Sequence, residues 1–304
     1  MSPEHPVHVV IVGSANMDVV FSVDRMPAPG ETLLADSAQR HPGGKGLNQA
    51  VASARSGAQT TFIGALGTDP FGDTLADAME SAGVSRELVR RSDRDTGQAF
   101  ILVDQAAENM IVVASGANAT MTELTGQEQE AIIAAQVLLM QLELPTQVVL
   151  QAAATAKAAG RAVMLNAAPA APLGDELLAL LDYLIVNEHE ACLIGGSEDL
   201  ATASLALAAK VDHLIVTLGA QGSQLYKDGV VVGTVTPPKV TAVDTTGAGD
   251  TFCGAFATAV AEGLALQEAV RFATAASALS VESVGAVSSI PSRSSIETKL
   301  GERW

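Results

Sequence analysis

Short apolar runs rich in β-branched residues alternate along the chain with longer stretches of helical period. HVVIVG (8–13) reads as a buried strand closed by glycine. Residues 46–58 carry helical spacing and stop at Gly57, TTFIGALG (60–67) is the next strand, and residues 71–84 form a helix with Gly83 at its end. AQVLLMQLE (135–143) reads as a strand ending in a carboxylate, and 146–159 as an Ala-rich helix closed by Gly160. RAVMLNAAP (161–169), DYLIVNEHE (182–190) and HLIVTLGAQG (213–222) are strands that break into polar tips. Strands separated by helices pair in parallel and are covered on both faces, so the pattern predicts an α/β protein with a central, mostly parallel sheet flanked by helices. Ligands bind such sheets beyond the carboxyl ends of the strands. Those ends carry Asn16, Asp18, Glu143, Asn166, Asn187, Glu190 and Thr217.

Two segments depart from this rhythm. Residues 18–42 alternate weakly around a Pro-Ala-Pro-Gly turn, and 96–113 read as a hairpin with a polar turn. They are expected to be strands of a small flap. The chain then divides into a main domain of residues 1–15, 43–95 and 114–304 and a discontinuous β lid of residues 16–42 and 96–113.

Composition narrows the function classes. The 304 residues are 48% hydrophobic, enough for a large core, and carry a net charge of −17. That balance argues against a nucleic-acid or anionic-membrane surface, while leaving room for a local anion pocket. Cys192 and Cys253 cannot build a disulfide scaffold and suit a reducing compartment. No leader-like segment and no charge-free stretch of membrane-spanning length is read, so a cytoplasmic protein is expected.

The chemistry concentrates in two motifs. In VDTTGAGDTFCGAFATAVAEG (243–263) a helix starts near Ala248, and the small residues Gly247, Ala248 and Gly249 let a ligand approach its free N–H groups. Such a terminus takes phosphate, and Asp250 in the first turn can lie beside it as a base for a hydroxyl. HPGGKGLNQAV (41–51) is not a Walker A loop: Gln39 stands where the first Gly belongs, and Gly46 follows Lys45. Lys45 and Asn48 share a helix face. Asn16 and Asp18, spaced i, i+2, point the same way and suit a polyol. Each motif alone also has a plain reading: a helix-dipole acid, a solvated turn, a polar strand end.

GGKGLNQA (43–50) and DTTGAGDTF (244–252) resemble the two signatures of the PfkB carbohydrate-kinase family. GSANMD (13–18), PAPGET (27–32), LLMQLE (138–143), LNAAPA (165–170), VNEHEA (186–191), VTLGAQG (216–222) and VGAVSSIP (284–291) extend the resemblance over nearly the whole length and point to members that phosphorylate D-ribose. The resemblance implies a Rossmann-like parallel sheet with a β lid that can form a dimer clasp, and transfer from ATP to the sugar 5-hydroxyl. By that similarity Asp250 is the base, and the amides of Gly247, Ala248 and Gly249 form the anion hole. Asn16, Met17, Asp18, Gly44, Lys45, Gly46, Asn48 and Glu143 hold the sugar. Asn187, Thr217, Leu218, Gly219, Ala220, Gln221, Gly222, Gly249 and Thr274 hold ATP. Glu190 organises Mg²⁺ through water, and Asp244, Thr246, Ser280, Ser283, Gly285 and Ser289 surround a monovalent cation, K⁺.

Within the family, an aromatic content of 3% argues against stacking a nucleobase. A phosphosugar would need extra cations, for which Arg25, Arg40, Arg90, Arg91 and Arg94 are the available residues. A free pentose is favoured, with 2-deoxyribose or fructose as the alternative. A silent sensor of the same fold would have lost the base or the glycine turn, and an NAD-dependent oxidoreductase lacks its glycine pattern here. His5, His8, His41, His189 and Trp304 are given no role. An apolar face of Val20, Phe21, Val23, Ile101 and Val103 fits either a homodimer through the lid strands or the underside of the lid.

Overall fold

In the computed structural model, which describes residues 6–106 and 108–302, the βα rhythm becomes one large twisted sheet with helices on both sides. His5, Ala107 and Trp304 lie outside the described residues. The strands are β1 (His8–Val12), β2 (Asn16–Ser22), β3 (Ser37–Gly43), β4 (Gln59–Gly67), β5 (Val84–Ser85), β6 (Val89–Ser92), β7 (Gly97–Val103), β8 (Asn109–Ala114), β9 (Val137–Met140), β10 (Ala162–Asn166), β11 (Tyr183–Asn187), β12 (His213–Thr217), β13 (Ser223–Lys227) and β14 (Val230–Val235). The helices are α1 (Lys45–Arg55), α2 (Pro70–Ser81), α3 (Gly126–Ala134), α4 (Thr146–Ala158), α5 (Asp175–Leu178), α6 (Glu188–Gly195), α7 (Leu200–Ala208), α8 (Ala248–Ala261), α9 (Leu266–Ser280), α10 (Ala286–Ser289) and α11 (Arg293–Gly301).

The main sheet runs β14-β13-β12-β11-β10-β9-β1-β4-β5, with β6 also paired to β4. Pairing is parallel from β12 to β5, and β13 and β14 add an antiparallel edge. The central strands are apolar on both faces because both faces are covered. Val9 and Ile11 pack with α1, α8 and α9 on one side, whereas Val10 and Val12 pack with α3, α4 and α7 on the other.

Local boundaries follow from capping. Glu188, His189 and Glu190 do not extend β11: Asn187 and Glu190 form a reciprocal capping box that starts α6 at once. β9 ends at Met140, so Gln141, Leu142 and Glu143 form a loop, held by the Leu142 N–H on the Ala168 carbonyl.

Residues 13–15 link β1 to a second sheet of order β3-β2-β7-β8. β2 pairs antiparallel with β3 and parallel with β7, and β7 pairs antiparallel with β8. Its first register places Asn16 opposite both Gly43 and Gly97, so the root of this sheet lies at the carboxyl end of β1. The apolar row expected from Val20, Phe21, Val23, Ile101 and Val103 is partly or fully covered. The exposed apolar row is instead Met110–Val113 on the edge strand β8, where exposure runs from 45% to 62%.

Candidate active site

Helix α8 begins at Gly247, whose φ of 75° is left-handed and favours glycine, and no side chain caps it. The Ala248 amide donates to the Thr245 carbonyl at 3.2 Å, so it is turned into the loop and not outward with its neighbours. The amides of Gly247, Gly249 and Asp250 have no acceptor among the described residues, and a Cβ on Gly249 would meet open space. The helix start thus offers unpaired donors and positive dipole charge to an anion.

Asp250 is 8% exposed. Asn48 Nδ2 donates to its Oδ2 at 2.9 Å, and Gln49 Nε2 donates to its Oδ1 at 2.9 Å. Both donors come from α1, so the two motifs, 200 positions apart in the chain, meet at one carboxylate. Their packing is close: a Cβ on Gly254 of α8 would lie 2.3 Å from the Gln49 carbonyl.

The other side of the cleft is lined with acids around one cation. Glu143 Oε2 accepts from the Ser14 hydroxyl, from Asn16 Nδ2 at 3.4 Å and from the Lys45 amide at 3.3 Å. Asn118 Nδ2 donates to Asn16 Oδ1 at 2.8 Å, and Asn118 Oδ1 accepts from the Ala15 amide at 3.1 Å, so the Asn16 amide nitrogen is turned toward Glu143. Burial raises the Asp18 carboxyl to about 7, with Glu143 and Asp250 adding to the shift and Lys45 opposing it. Burial pulls the Lys45 ammonium down, but Asp250, Glu143 and Glu190 outweigh that and hold it above its ordinary value. Gly44, at a φ of 89°, brings its Cα so close that a Cβ would stand 2.6 Å from the Asn16 amide. Gly46 packs against Ser14. A cavity of about 350 Å³ opens beside Glu143 between Val113, Ser115, Leu144 and Pro169.

Met17 lies on the opposite side of β2 from Asn16 and Asp18 and is buried in the core, in keeping with a packing role. Thr274 is buried within α9, and its hydroxyl has no partner among the described residues.

At the ends of β11 and β12, Asn187 is exposed, Thr217 Oγ1 donates to the Val186 carbonyl at 3.2 Å, and Leu218–Gly222 close a turn that exposes Gly219, Ala220 and Gln221. The capping box uses Asn187 Oδ1 and Glu190 Oε2, leaving Asn187 Nδ2 and Glu190 Oε1 outside it. Burial raises the Glu190 carboxyl. Beside this surface, Asp244 Oδ1 accepts from the Thr246 amide and Oδ2 from the Gly285 amide, at 2.9 and 2.8 Å, which ties residues 244–246 to 280–289. Burial alone would raise Asp244, but these bonds and His41 hold it below the usual carboxylate range. Ser280 Oγ bonds the Ser277 carbonyl and Ser289 Oγ the Ala286 carbonyl, while Ser283 is exposed. The donors here are all oxygen, as a hard monovalent cation requires.

Among the described residues no group of three or more His, Cys, Asp or Glu could hold a metal. One buried carboxylate, Glu190, fits a divalent ion carried mainly by nucleotide phosphates and water. Sequence reasoning singled out no role for Ser14, Gln49, Asn118 or Gln141. Gln49 and Gln141 sit inside quoted motifs, and a glutamine interrupting an apolar strand end was the available signal for Gln141.

The model of the pfkB family carbohydrate kinases matches residues 7–293. The ribokinase of Haemophilus influenzae is 44% identical over 296 residues, covering 94% of this chain and 95% of that protein. The ribokinase of Staphylococcus aureus is 40% identical, covering 93% and 96%. The solved structure of Arabidopsis thaliana ribokinase complexed with ribose and ATP superposes with a TM-score of 0.92 at 35% identity, covering 98% of this chain and 100% of that one.

Proposed function

The chain belongs to the pfkB family of carbohydrate kinases, and from that premise we propose that it transfers the γ-phosphoryl group of ATP to the 5-hydroxyl of D-ribose, giving D-ribose 5-phosphate and ADP. The observation that carries this reading is the Asp250 carboxylate, gripped by Asn48 and Gln49 beside the open amides of α8. The relatives at 44% and 40% identity, and the Arabidopsis protein seen with ribose and ATP, give the sugar and the donor.

In this reading Asp250 takes the hydroxyl proton as the new O–P bond forms, and the bond from phosphorus to the β,γ-bridging oxygen breaks with its electron pair leaving on ADP. The amides of Gly247, Gly249 and Asp250 receive the charge on the phosphoryl oxygens. Asp18 accepts from vicinal hydroxyls, Asn16, Asn48 and Glu143 complete the polyol contacts, and Gly44 and Gly46 keep the wall close. Asn187, Thr217 and the 218–222 turn, with Leu218, Gly219, Ala220, Gln221 and Gly222, contact the nucleotide. The divalent ion would be Mg²⁺, which Glu190 would hold through water and which would offset the charge of the phosphate chain. Asp244, Thr246, Ser280, Ser283, Gly285 and Ser289 would form the K⁺ loop.

The second sheet acts as a lid over the sugar that excludes water during transfer. Its exposed edge β8 fits a homodimer clasp. No helix of the described residues is long and apolar enough to cross a membrane, and two free cysteines with ATP as co-substrate fit a cytoplasmic location. The test is a coupled assay of ADP release across D-ribose, 2-deoxyribose and D-fructose, with and without K⁺. D-Ribose is expected to show the highest kcat/KM, because the site is built to bond the 2-hydroxyl. Absence of ribose-dependent ADP release overturns the reading.

A further inference from the structure

Gln49 and Gln141 are fully buried, and apart from the bond of Gln49 to Asp250 the reaction above gives neither a role. Gln49 Nε2 spends both its protons, one on Asp250 Oδ1 at 2.9 Å and one on Asn166 Oδ1 at 3.1 Å, and Gln49 Oε1 accepts from Gln141 Nε2 at 2.6 Å. A flipped Gln49 amide would set its oxygen against two acceptors and its NH₂ against another NH₂, so only one orientation survives. Asn166 is fixed in turn, because its Nδ2 donates to the Ile185 carbonyl at 3.3 Å. Gln141 pays nothing back to its own environment: its Oε1 is buried without a partner. A buried acceptor left unmade is a standing cost that a core built only for stability would shed.

We propose that Gln49, locked by Gln141, is a positioning residue that fixes the Asp250 carboxylate through Oδ1 and leaves Oδ2 as the oxygen that receives the sugar proton. The inference rests on Asp250 being the base. The two oxygens of Asp250 are not equivalent. Oδ1 has a wholly internal partner. Oδ2 is held by Asn48, whose own Oδ1 is buried, unpartnered and free to accept from a ligand hydroxyl. The groups that face Asp250 are Lys45 of α1, Asp18 of β2, Glu190 of α6 and Cys253 of its own helix. Among these charges a neutral amide can anchor the carboxylate without changing the net charge, and its hydrogen bond favours the ionised form.

The test compares Gln49→Met, which keeps the length and removes both donors, with Gln141→Met, which leaves Gln49 in place but removes the donor that holds its Oε1. Steady-state kinetics with D-ribose and ATP are recorded from about pH 5 to pH 9, with ADP affinity and thermal midpoint measured alongside. Gln49→Met is expected to lower kcat ~10- to 100-fold while the KM for ribose and the ADP affinity change less than ~3-fold, since positioning acts on the transition state. Gln141→Met should lower kcat the same way by less, again with the KM for ribose nearly unchanged. An unchanged kcat in both variants would overturn the proposal. So would a fall in kcat matched by lost ADP affinity and a collapsed midpoint in both. Asp250→Asn separates the two claims: normal turnover there removes the base assignment itself, whereas an inactive Asp250→Asn beside a normal Gln49→Met removes only the positioning role.

Discussion

Asp18 gives the most quantitative handle on the site. Burial, with Glu143 and Asp250 nearby, raises its carboxyl from 3.8 to about 7. In the folded chain it therefore keeps a proton that the unfolded chain has already lost above about pH 4. Unfolding releases that proton, so the stability this group contributes is full below pH 4, declines as pH rises, and is gone above about pH 7. A shift of this size corresponds to roughly 4 kcal/mol at 1.36 kcal/mol per unit, an upper figure for a group shared among several charges. Asp18→Asn substitutes a permanently neutral side chain of the same shape. At pH 8 the variant is expected to be more stable than the parent by up to that amount, which for 304 residues corresponds to about 6 °C in Tm. At pH 4.5 the difference should shrink to about a quarter of that, roughly 1 kcal/mol. Thermal melts of both proteins across this range, without ligand, supply the measurement. Ribose binding should run the other way, with KM falling as pH rises through 7, because the carboxylate offers more and stronger acceptor positions to hydroxyls than the acid does. Equal stability at pH 8, or a difference that persists undiminished at pH 4.5, would refute the burial argument.

Other perturbations address other parts of the molecule. Asp250→Asn should lower kcat by on the order of 10²-fold or more with ADP affinity kept, read by turnover and nucleotide titration. Asn118→Ala should raise the ribose KM ~10-fold with little change in the ATP KM, because Asn16 loses the donor that orients its amide. Gly254→Ala should lower the thermal midpoint through ~1–3 kcal/mol of overpacking where α8 meets the Gln49 carbonyl. Val112→Lys on the exposed edge β8 should shift a dimer to monomer by light scattering without lowering the monomer's thermal midpoint.

The βα alternation was legible because each central strand is apolar on both faces, a signal contained within five or six residues. The edge hairpin of β13 and β14 was not read, since its Val230–Val232 run sits beside Gly229 and Gly233 with little alternation. The start of α6 was within reach: Asn187 and Glu190 are spaced as a capping box, a cue outweighed by the apolar run before them. At the site, the residues found were those that local chemistry or a family motif marks, such as Asp250, Lys45 and Asn48. Ser14, Asn118 and Gln141 act by bonding partners 129, 102 and 92 positions away. No periodicity encodes such contacts, so their roles become visible only when the strand ends converge.

The distribution of charge across the cleft supports the proposed places of the two substrates. Asp18, Glu143, Asp250 and Glu190 surround a single Lys45, and the acids are close enough that each raises or opposes another's ionisation. A neutral polyol suits that environment, since its hydroxyls are donors and the carboxylates are acceptors. A triphosphate does not, because like charge in a partly dry cleft costs more than in water. Its reacting end is stabilised only where donors outnumber acids, at the uncapped start of α8. In the proposed reaction Asp250 would stand on that boundary, its unpaired backbone amide toward the phosphate and its carboxylate toward the sugar. Moving the acid one turn along α8 would keep the net charge yet separate the base from the anion site by about 5.4 Å, beyond the reach of a single proton transfer.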